Sequence, residues 1–324
     1  MSLTQLLAIV LAGGLASAAM TAGAHRYAQA VGLIDEPDPR RLHSGSIARG
    51  GGIGPLSIYL LGSGILGVLL DAPLPWQGGL FLLLLVALGF WDDHQPQPAR
   101  LRFAAQMLAA VLLCWLLPLS VAGWIMVLVG LVWWINLFNF MDGSNGLAAT
   151  EAIFISAVLT AVSADPYRAY AALALGASLG FLPWNFPRPR IFLGDAGSYG
   201  LAAVLALLGC LLVAAGQASW GLLLVLPAPF VVDASITLVR RMVTGQRWYT
   251  AHRQHLYQRL IAGGASPAQV VLWLGAVNVL FIVPALGLLQ SWPHREAAIV
   301  MITYALLGAA WLITDRGLKA RSGS

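Results

Sequence analysis

The sequence predicts an all-α integral membrane protein, and three features indicate this fold class. Hydrophobic residues occupy 59% of the 324 positions, and charged residues occupy only 10%. A soluble domain carries about 25% charged residues, so this chain lacks the polar surface that water requires. Apolar runs that approach the thickness of a bilayer recur along the chain, and they lack the alternating pattern of β-barrel strands.

Eleven of these runs are predicted to be membrane-spanning helices, which makes residues 1–324 a single polytopic membrane domain. A spanning helix needs about 20 mostly apolar residues, and the third run is the shortest of the eleven. The predicted spans are Leu3–Ala24, Gly52–Leu70, Gly78–Trp91, Phe103–Pro118, Gly123–Phe140, Leu147–Ser163, Ala169–Trp184, Tyr199–Ala215, Gly221–Val239, Ala268–Leu289 and Ala297–Thr314.

The positions of Lys and Arg predict the orientation of these spans. Cytoplasmic loops of membrane proteins are enriched in both residues. With eleven spans, all 18 basic residues except Arg168 and Arg295 fall on one side of the membrane. The N-terminus is therefore predicted to lie outside and the C-terminus in the cytoplasm, with the active site on the cytoplasmic loops.

Polar side chains concentrate in five cytoplasmic segments, of which Leu33–Gly54 is the first. In it, Arg49 precedes a glycine run that opens the second span. Glycines at a helix start let backbone N–H groups approach a phosphate, and the helix dipole favours that anion. Arg49, Gly50 and Gly51 are therefore candidate phosphate-binding residues, with a flexible hinge in a positive-inside loop as the alternative. The segment also contains Arg40, Arg41 and His43.

An acidic pair, Asp92 and Asp93, follows the third span. Neighbouring carboxylates raise each other's pKa unless a cation lies near them. Such a pair suits divalent-metal binding or the removal of a proton from a phosphate oxygen. The alternative is a solvated loop whose acids simply end a helix.

Two further segments carry amides and acids at the ends of spans. Asn139, Asp142 and Asn145 lie between the fifth and sixth spans, where capping of helices by Asn is the alternative to a functional role. Asp195 lies between two glycines just before the eighth span. This placement exposes its carboxylate, as a ligand of a hard cation requires, although an N-cap of the eighth helix is the alternative.

The fifth segment, Arg240–Leu260, contains five Arg and two His. Within it, His252, Arg253 and His255 can donate several hydrogen bonds to a diphosphate. A basic amphipathic surface helix is the alternative, and it explains the arginines better than the histidines. Asp233, in the ninth span, is expected to pair with this basic cluster.

Together, these segments place carboxylates, amides and basic groups on one face of a membrane. Carboxylates and amides suit Mg²⁺, and basic groups suit the phosphates that Mg²⁺ bridges. The residues therefore predict phosphoryl or phosphoglycosyl transfer at the cytoplasmic surface.

Five blocks, in order between apolar spans, also resemble a known family. They are IDEPDPRRLHSGSIARGGG, GFWDDH, NFMDGSNGLA, IFLGDAGS and HRQHLYQRL. From Ile34 to about Leu260 the chain resembles the polyprenyl-phosphate N-acetylhexosamine-1-phosphate transferases. This family includes enzymes that start O-antigen chains and the phospho-N-acetylmuramoyl-pentapeptide transferase.

The resemblance implies a UDP-N-acetylhexosamine donor, an undecaprenyl phosphate acceptor and Mg²⁺, for which Mn²⁺ can substitute. It also implies a multi-pass protein of the bacterial inner membrane, with a homodimer as a possible assembly and no nucleic-acid partner. Asp92 and Asp93 match the catalytic pair, and Asp195, with Asn139, matches the metal position. The residues matched to nucleotide and donor binding are Asp142, Asn145, His252, Arg253 and His255, and those expected at the acceptor phosphate are Arg49, Gly50, Gly51 and Arg102.

Two departures from the family pattern refine these expectations. Asn145 stands where most bacterial members carry a second Asp, although the eukaryotic N-acetylglucosamine-1-phosphate transferases have Asn there. The final histidine block is reduced, which argues against a muramoyl-pentapeptide donor and for the O-antigen-initiating branch. An inactive family member is one alternative, and a secondary transporter for an anionic solute is another. A transporter would place its polar groups near the bilayer midplane and often shows repeats, neither of which is visible here.

Overall fold

A computed structural model describes residues 1–36, 45–247, 250 and 252–322, and it confirms an all-α architecture. Arg40, Arg41 and His43 lie outside the described residues. The helices are α1 Leu3–Val31, α2 Ile53–Leu69, α3 Trp76–His94, α4 Ala99–Cys114, α5 Val121–Met141, α6 Leu147–Val162, α7 Tyr167–Asn185, α8 Gly194–Ala214, α9 Trp220–Val225, α10 Ala228–Val243, α11 Leu256–Ala262, α12 Pro267–Val277, α13 Val283–Ser291 and α14 Glu296–Ser322.

Every predicted span coincides with helix, and two of them show irregularities. The ninth is divided into α9 and α10 at Pro227, which has no backbone N–H to continue a helix. In the tenth, a π-helical turn over Asn278–Ile282 joins α12 to α13. By length and composition alone, five stretches of the described chain can cross a membrane. They are Leu3–Val31, Val121–Met141, Gly194–Ala214, Pro267–Ser291 and Pro293–Ala320.

Where the sequence predicts one membrane domain, the structure groups the helices into two compact units. The first comprises Met1–Glu36 and Gly45–Ala218, and the second includes the chain from Ser219 onward. The span total and the orientation remain predictions from the sequence.

Close helix packing in the first unit depends on small residues. Helix α8 is its most buried long helix and packs against α2, α3, α5 and α6, while α7 packs against α1, α2 and α6. A Cβ atom at Gly180 of α7 would lie 2.1 Å from the carbonyl oxygen of Gly14 in α1. Glycines at such positions let membrane helices approach closely enough for extensive van der Waals contact.

Two short strands precede α2. Strand β1, Ile34–Asp35, pairs antiparallel with β2, Ile47–Ala48, so that Ile34 lies opposite Ala48. In the second unit, α14 packs against α9, α10, α11 and α13. The hydroxyl of Tyr304 in α14 donates to the carbonyl oxygen of Leu224 in α9 over 2.9 Å.

Candidate active site

Three helix ends meet in the first unit because glycines occupy the points of contact. A Cβ atom at Gly52 would lie 2.0 Å from the Cα of Gly197. A Cβ atom at Gly89 would lie 2.4 Å from the carbonyl oxygen of Asp195. The starts of α2 and α8 and the end of α3 can therefore converge only while these positions lack side chains.

Backbone pairing holds the glycine run to the loop before α8. The N–H of Phe192 donates to the carbonyl oxygen of Ala48, and the N–H groups of Gly51 and Gly52 donate to Phe192 and Leu193, each over 2.8 Å. The N–H of Gly51 is therefore used within the fold, so it is not among the donors that remain for a phosphate.

Asp93 caps the start of α8. Its two carboxylate oxygens accept hydrogen bonds from the backbone N–H groups of Asp195 and Ala196, each over 3.0 Å. Gly194, with a φ of +77°, makes the turn, and a Cβ atom there would lie 2.7 Å from the Asp93 carboxylate. The guanidinium of Arg49 donates to the Asp93 carbonyl oxygen. Asp93 thus fixes the backbone that carries Asp195.

The contacts of the Asp92 carboxylate differ from those of Asp93. Its carboxylate accepts from the backbone N–H of Gln97 over 2.6 Å and from Arg102 over 3.2 Å. The hydroxyl of Tyr199, in α8, lies 3.5 Å from the same carboxylate. Asp92 is buried, whereas the Arg102 side chain is 36% exposed. A buried carboxylate is therefore paired with a cation that still reaches solvent.

Asp195 is oriented by an amide from α5. The Nδ2 of Asn139 donates to Asp195 Oδ1 over 2.6 Å and to the Ser198 hydroxyl over 2.9 Å. Asp195 is only partly buried and lies within electrostatic range of Asp92 and Arg102. Since the Asn139 nitrogen is used in this way, its oxygen is the atom left for a cation.

The loop between α5 and α6 contributes a further acid. Burial, followed by the charges of Asp195 and Asp93, raises the pKa of Asp142 well above its ordinary value. The buried side chain of Asn185 holds this loop, because it accepts from the Gly146 N–H over 2.7 Å and donates to the Ile191 carbonyl over 3.1 Å. The loop therefore places Asp142 within electrostatic range of Asp195 and Asp93.

The composition of the site fits a cation that shares its ligands with a substrate. Hard oxygen donors from Asp92, Asp142, Asp195 and Asn139 suit Mg²⁺. Within the described chain, no three His, Cys, Asp or Glu side chains form a ready ligand group. Mg²⁺ commonly keeps waters and takes one or two carboxylates together with substrate phosphates, so this donor set fits that mode of binding.

The histidines predicted for the donor lie in the second unit, between α10 and α11. The rings of His252 and His255 have centroids 4.8 Å apart. Burial, followed by the charges of His255 and Arg241, lowers the pKa of His252 to about 4. Burial and Arg241 likewise lower the pKa of His255 to about 4, so both rings are neutral near pH 7. Arg253, which lies between them in the sequence, is partly buried.

Asp233 contacts the fifth segment mainly through the backbone of that segment. Its carboxylate accepts from the N–H groups of Leu256 and Tyr257, over 2.7 and 3.2 Å, and from the Trp311 indole over 3.0 Å. Asp233 therefore caps α11, and its charge also acts on Arg259 and His252. Arg240 pairs instead with Asp315 of α14.

Three arginines of the fifth segment make ion pairs or hydrogen bonds within the second unit. Arg259 pairs with Asp315, as Arg240 of α10 also does. The buried Arg241 donates to the Arg247 carbonyl over 2.6 Å and to Thr250 over 3.4 Å, so it holds the loop that carries the histidines. The segment therefore divides into a histidine loop and a separate basic cluster.

Three residues of this region were not singled out from the sequence. Tyr199 follows Asp195 by one helical turn, and this spacing would have revealed it. Gln106 lies one turn after Arg102 and is buried, and Asn136 donates to it over 2.7 Å. Asn185 has no local signal, because its contact to Gly146 crosses 39 positions of the chain.

Comparison with known proteins identifies related sequences. Residues 76–213 match the model of glycosyl transferase family 4. A probable undecaprenyl-phosphate N-acetylglucosaminyl 1-phosphate transferase of Bacillus subtilis is 23% identical over 81% of this chain and 79% of its own length. A decaprenyl-phosphate N-acetylglucosaminephosphotransferase of Mycobacterium tuberculosis is 29% identical over 88% of this chain and 83% of its own. A phospho-N-acetylmuramoyl-pentapeptide-transferase of Synechococcus is 35% identical over 56% of this chain and 53% of its own.

These matches confirm the family resemblance that the sequence blocks predicted. The fold and the matches together define a membrane enzyme of the phosphoglycosyl transferase class. More particularly, residues 76–213 match glycosyl transferase family 4, and this region contains Asp92, Asn139 and Asp195.

Proposed function

We propose that this enzyme transfers an N-acetylhexosamine 1-phosphate from a UDP-sugar to undecaprenyl phosphate and releases UMP. The observation that carries the proposal is the grouping of Asp92, Asn139 and Asp195 at the start of α8, inside the matched region. The adjacent Arg102 suits a phosphate. The relatives from Bacillus subtilis and Mycobacterium tuberculosis are named for polyprenyl phosphates and N-acetylglucosamine, which supports this acceptor and this class of sugar.

In the proposed reaction, an oxygen of the lipid phosphate attacks the donor's β-phosphorus, which carries the sugar. A new P–O bond forms while the bond to the oxygen of the α-phosphate breaks, and UMP leaves. Asp92 takes or orients the acceptor's proton. Asp93 supports this chemistry by capping α8, because both of its oxygens accept backbone N–H groups there. A two-step route through an aspartyl phosphate is the alternative.

The proposed cation site is formed by Asp195, with Asn139 and Asp142 beside it. Bound there with the donor's diphosphate, Mg²⁺ or Mn²⁺ would neutralise charge that develops on the leaving phosphate. Arg102 and Arg49 are proposed to bind the acceptor phosphate, and a buried Nε of Arg49 has no hydrogen-bond partner in the described part of the chain.

The donor-binding residues are proposed to be Asn145 and the histidine loop of His252, Arg253 and His255. Neutral imidazoles donate one hydrogen bond each, so the positive charge offered to the diphosphate comes from Arg253. The reduced histidine block favours a simple UDP-N-acetylhexosamine, such as UDP-N-acetylglucosamine, over a muramoyl-pentapeptide donor. The product would start a surface polysaccharide such as O-antigen at the inner membrane.

The experiment that tests this function follows the fate of the donor's β-phosphate. Purified enzyme receives undecaprenyl phosphate, Mg²⁺ and UDP-N-acetylglucosamine that carries ³²P at the β-position. Transfer of a sugar phosphate moves the label into the organic phase and leaves unlabelled UMP, and EDTA abolishes it. If the sugar moves while the label stays in UDP, the enzyme transfers sugar alone and the proposal is wrong.

A panel of other UDP-N-acetylhexosamines, run in parallel, identifies the sugar. If the β-phosphate label of one donor enters the organic phase and the labels of the others do not, that donor is the substrate. No transfer from any donor by folded protein would support an inactive family member. Accumulation of intact donor in sealed vesicles would support a transporter instead.

A further inference from the structure

A basic cluster in the second unit lies apart from the histidine loop and has no role in the reaction proposed above. We define it as Arg240, Arg259 and Lys319, which pair with Asp315, together with Arg316, which lies near Lys319. The Asp315 side chain is 7% exposed and is paired with Arg240 over 3.2 Å, with Lys319 over 2.8 Å and with Arg259. Three helices, α10, α11 and α14, therefore direct cations at one buried carboxylate.

Several cations of the cluster share one carboxylate. Arg316 is exposed and lies within electrostatic range of Lys319. Asp233, whose charge acts on Arg259, is already occupied by the start of α11 and the Trp311 indole. Three cations therefore share the single carboxylate of Asp315.

The arginines also keep donors for a further acceptor. A guanidinium carries five N–H donors in a fork that matches phosphate. The bonds to Asp315 use one nitrogen of Arg240 and one of Arg259. The side chains of Arg240 and Arg259 are 34% and 18% exposed, so an external anion can reach them.

Lipid-facing surface borders the cluster. On α14, Leu312 and Ile313 lie within one turn before Asp315 and are exposed, and on α10, Val239 and Val243 lie on either side of Arg240 and are exposed. Large apolar side chains on the outer surface of a membrane helix contact acyl chains. The cations therefore lie where the apolar belt of these helices ends, which is the level of lipid headgroups.

From this arrangement we propose that the basic cluster binds the phosphate of an anionic phospholipid headgroup, whose acyl chains lie against α10 and α14. Basic pockets between membrane helices have this recognition chemistry. The binding fastens the ends of α10, α11 and α14 to the membrane surface. It is independent of the proposed transferase reaction.

The test measures lipid binding by native mass spectrometry of delipidated full-length protein in an uncharged detergent. Phosphatidylglycerol, phosphatidylcholine and inorganic phosphate are the three probes. The proposal expects a tight phosphatidylglycerol adduct that weakens as ionic strength rises. The double variant Arg316→Gln with Lys319→Gln should bind phosphatidylglycerol about 30-fold more weakly, at about 1 kcal/mol for each removed charge.

The variants are chosen so that the protein still folds. Arg240 and Arg259 are left in place, because their removal would leave the buried Asp315 carboxylate unpaired. The variant Arg316→Lys with Lys319→Arg keeps the charges and should keep the binding. The matched control, Arg26→Gln with Arg295→Gln, removes two exposed cations elsewhere and should bind phosphatidylglycerol like the wild type.

Three results would overturn the proposal. Equal phosphatidylglycerol affinity in wild type and double variant would show that the cluster does not bind the lipid. Displacement of the lipid by millimolar inorganic phosphate would identify a site for free phosphate. A raised KM for the UDP-sugar in the double variant, measured by UMP release, would assign the cluster to the donor.

Discussion

At the scale of single residues, the two neighbouring aspartates after the third predicted span have different tasks. Asp92 faces Arg102 and Tyr199, whereas Asp93 holds the first N–H groups of α8. The sequence predicts an acidic pair, but it cannot separate the two roles, because the partner of Asp93 lies about a hundred positions away. The difference in partners makes the two residues separable by mutation.

Asp92→Asn is expected to leave the fold intact and to lower kcat by about 100- to 10,000-fold, the usual range for a lost acid or base. Asp93→Asn turns an amide NH₂ toward a backbone N–H of α8. It should therefore lower the free energy of unfolding by about 1–3 kcal/mol. Thermal unfolding in detergent and UMP release check the pair. Equal losses of stability in both variants would contradict the separation of roles.

The histidine loop should respond to pH through His252 and His255. Their pKa values, lowered to about 4 by burial and by Arg241, lie below the ordinary value of 6.5. The unfolded chain therefore binds more protons between pH 4 and 6.5, so stability is complete above pH 6.5 and falls as pH drops toward 4. Hydrogen exchange of α11 across this range measures the effect. His255→Asn should flatten the slope, and an unchanged slope in both single His→Asn variants would contradict it.

At the scale of elements, close approach between helix ends shapes the site. Gly52→Ala should destabilise the protein by about 1–3 kcal/mol and reduce activity, because its Cβ would overlap α8. Gly64→Ala, in the same helix, is the matched control, since nothing lies within 4 Å of a Cβ there. The control should be neutral or stabilising by up to about 1 kcal/mol. Similar unfolding midpoints for the two variants would show that the approach of α2 to α8 is not tight.

Asp233 connects α10 to α11 and α14, so it positions the histidine loop. Asp233→Asn should raise the KM for the donor more than it lowers kcat, because one backbone N–H of α11 loses its acceptor. Steady-state UMP release measures both parameters, and Asp233→Glu should restore part of the donor affinity. An unchanged donor KM in a folded Asp233→Asn protein would show that Asp233 does not position the histidine loop for the donor.

The apolar runs predict the helices well, because a continuously apolar segment has few alternatives in a bilayer. They do not predict the short α11, which depends on its cap from Asp233 across 23 positions. Nor do they predict that Arg240 and Arg259 pair with Asp315, because these ion pairs depend on tertiary contacts. Asp142 and Asp195, proposed for the cation site, can be singled out from the sequence because each lies at a helix end beside a glycine.

At the scale of the whole molecule, the predicted topology is open to direct measurement. Arg295→Cys should be labelled by an impermeant maleimide in intact cells, and Arg26→Cys only after permeabilisation. The natural Cys114 and Cys210 are buried, so background labelling should be low. Labelling of both introduced cysteines from outside would contradict the predicted orientation.

The most direct test of the central claim compares UMP release by wild type, Asp195→Asn and Asp71→Asn with UDP-N-acetylglucosamine, undecaprenyl phosphate and Mg²⁺. Asp71, in the loop after α2, has a φ of 48°, which Asn tolerates, so it is a matched control. The account predicts wild-type release with Asp71→Asn and a loss of about 100- to 1,000-fold with folded Asp195→Asn. Near-normal turnover by Asp195→Asn would contradict the proposed active site.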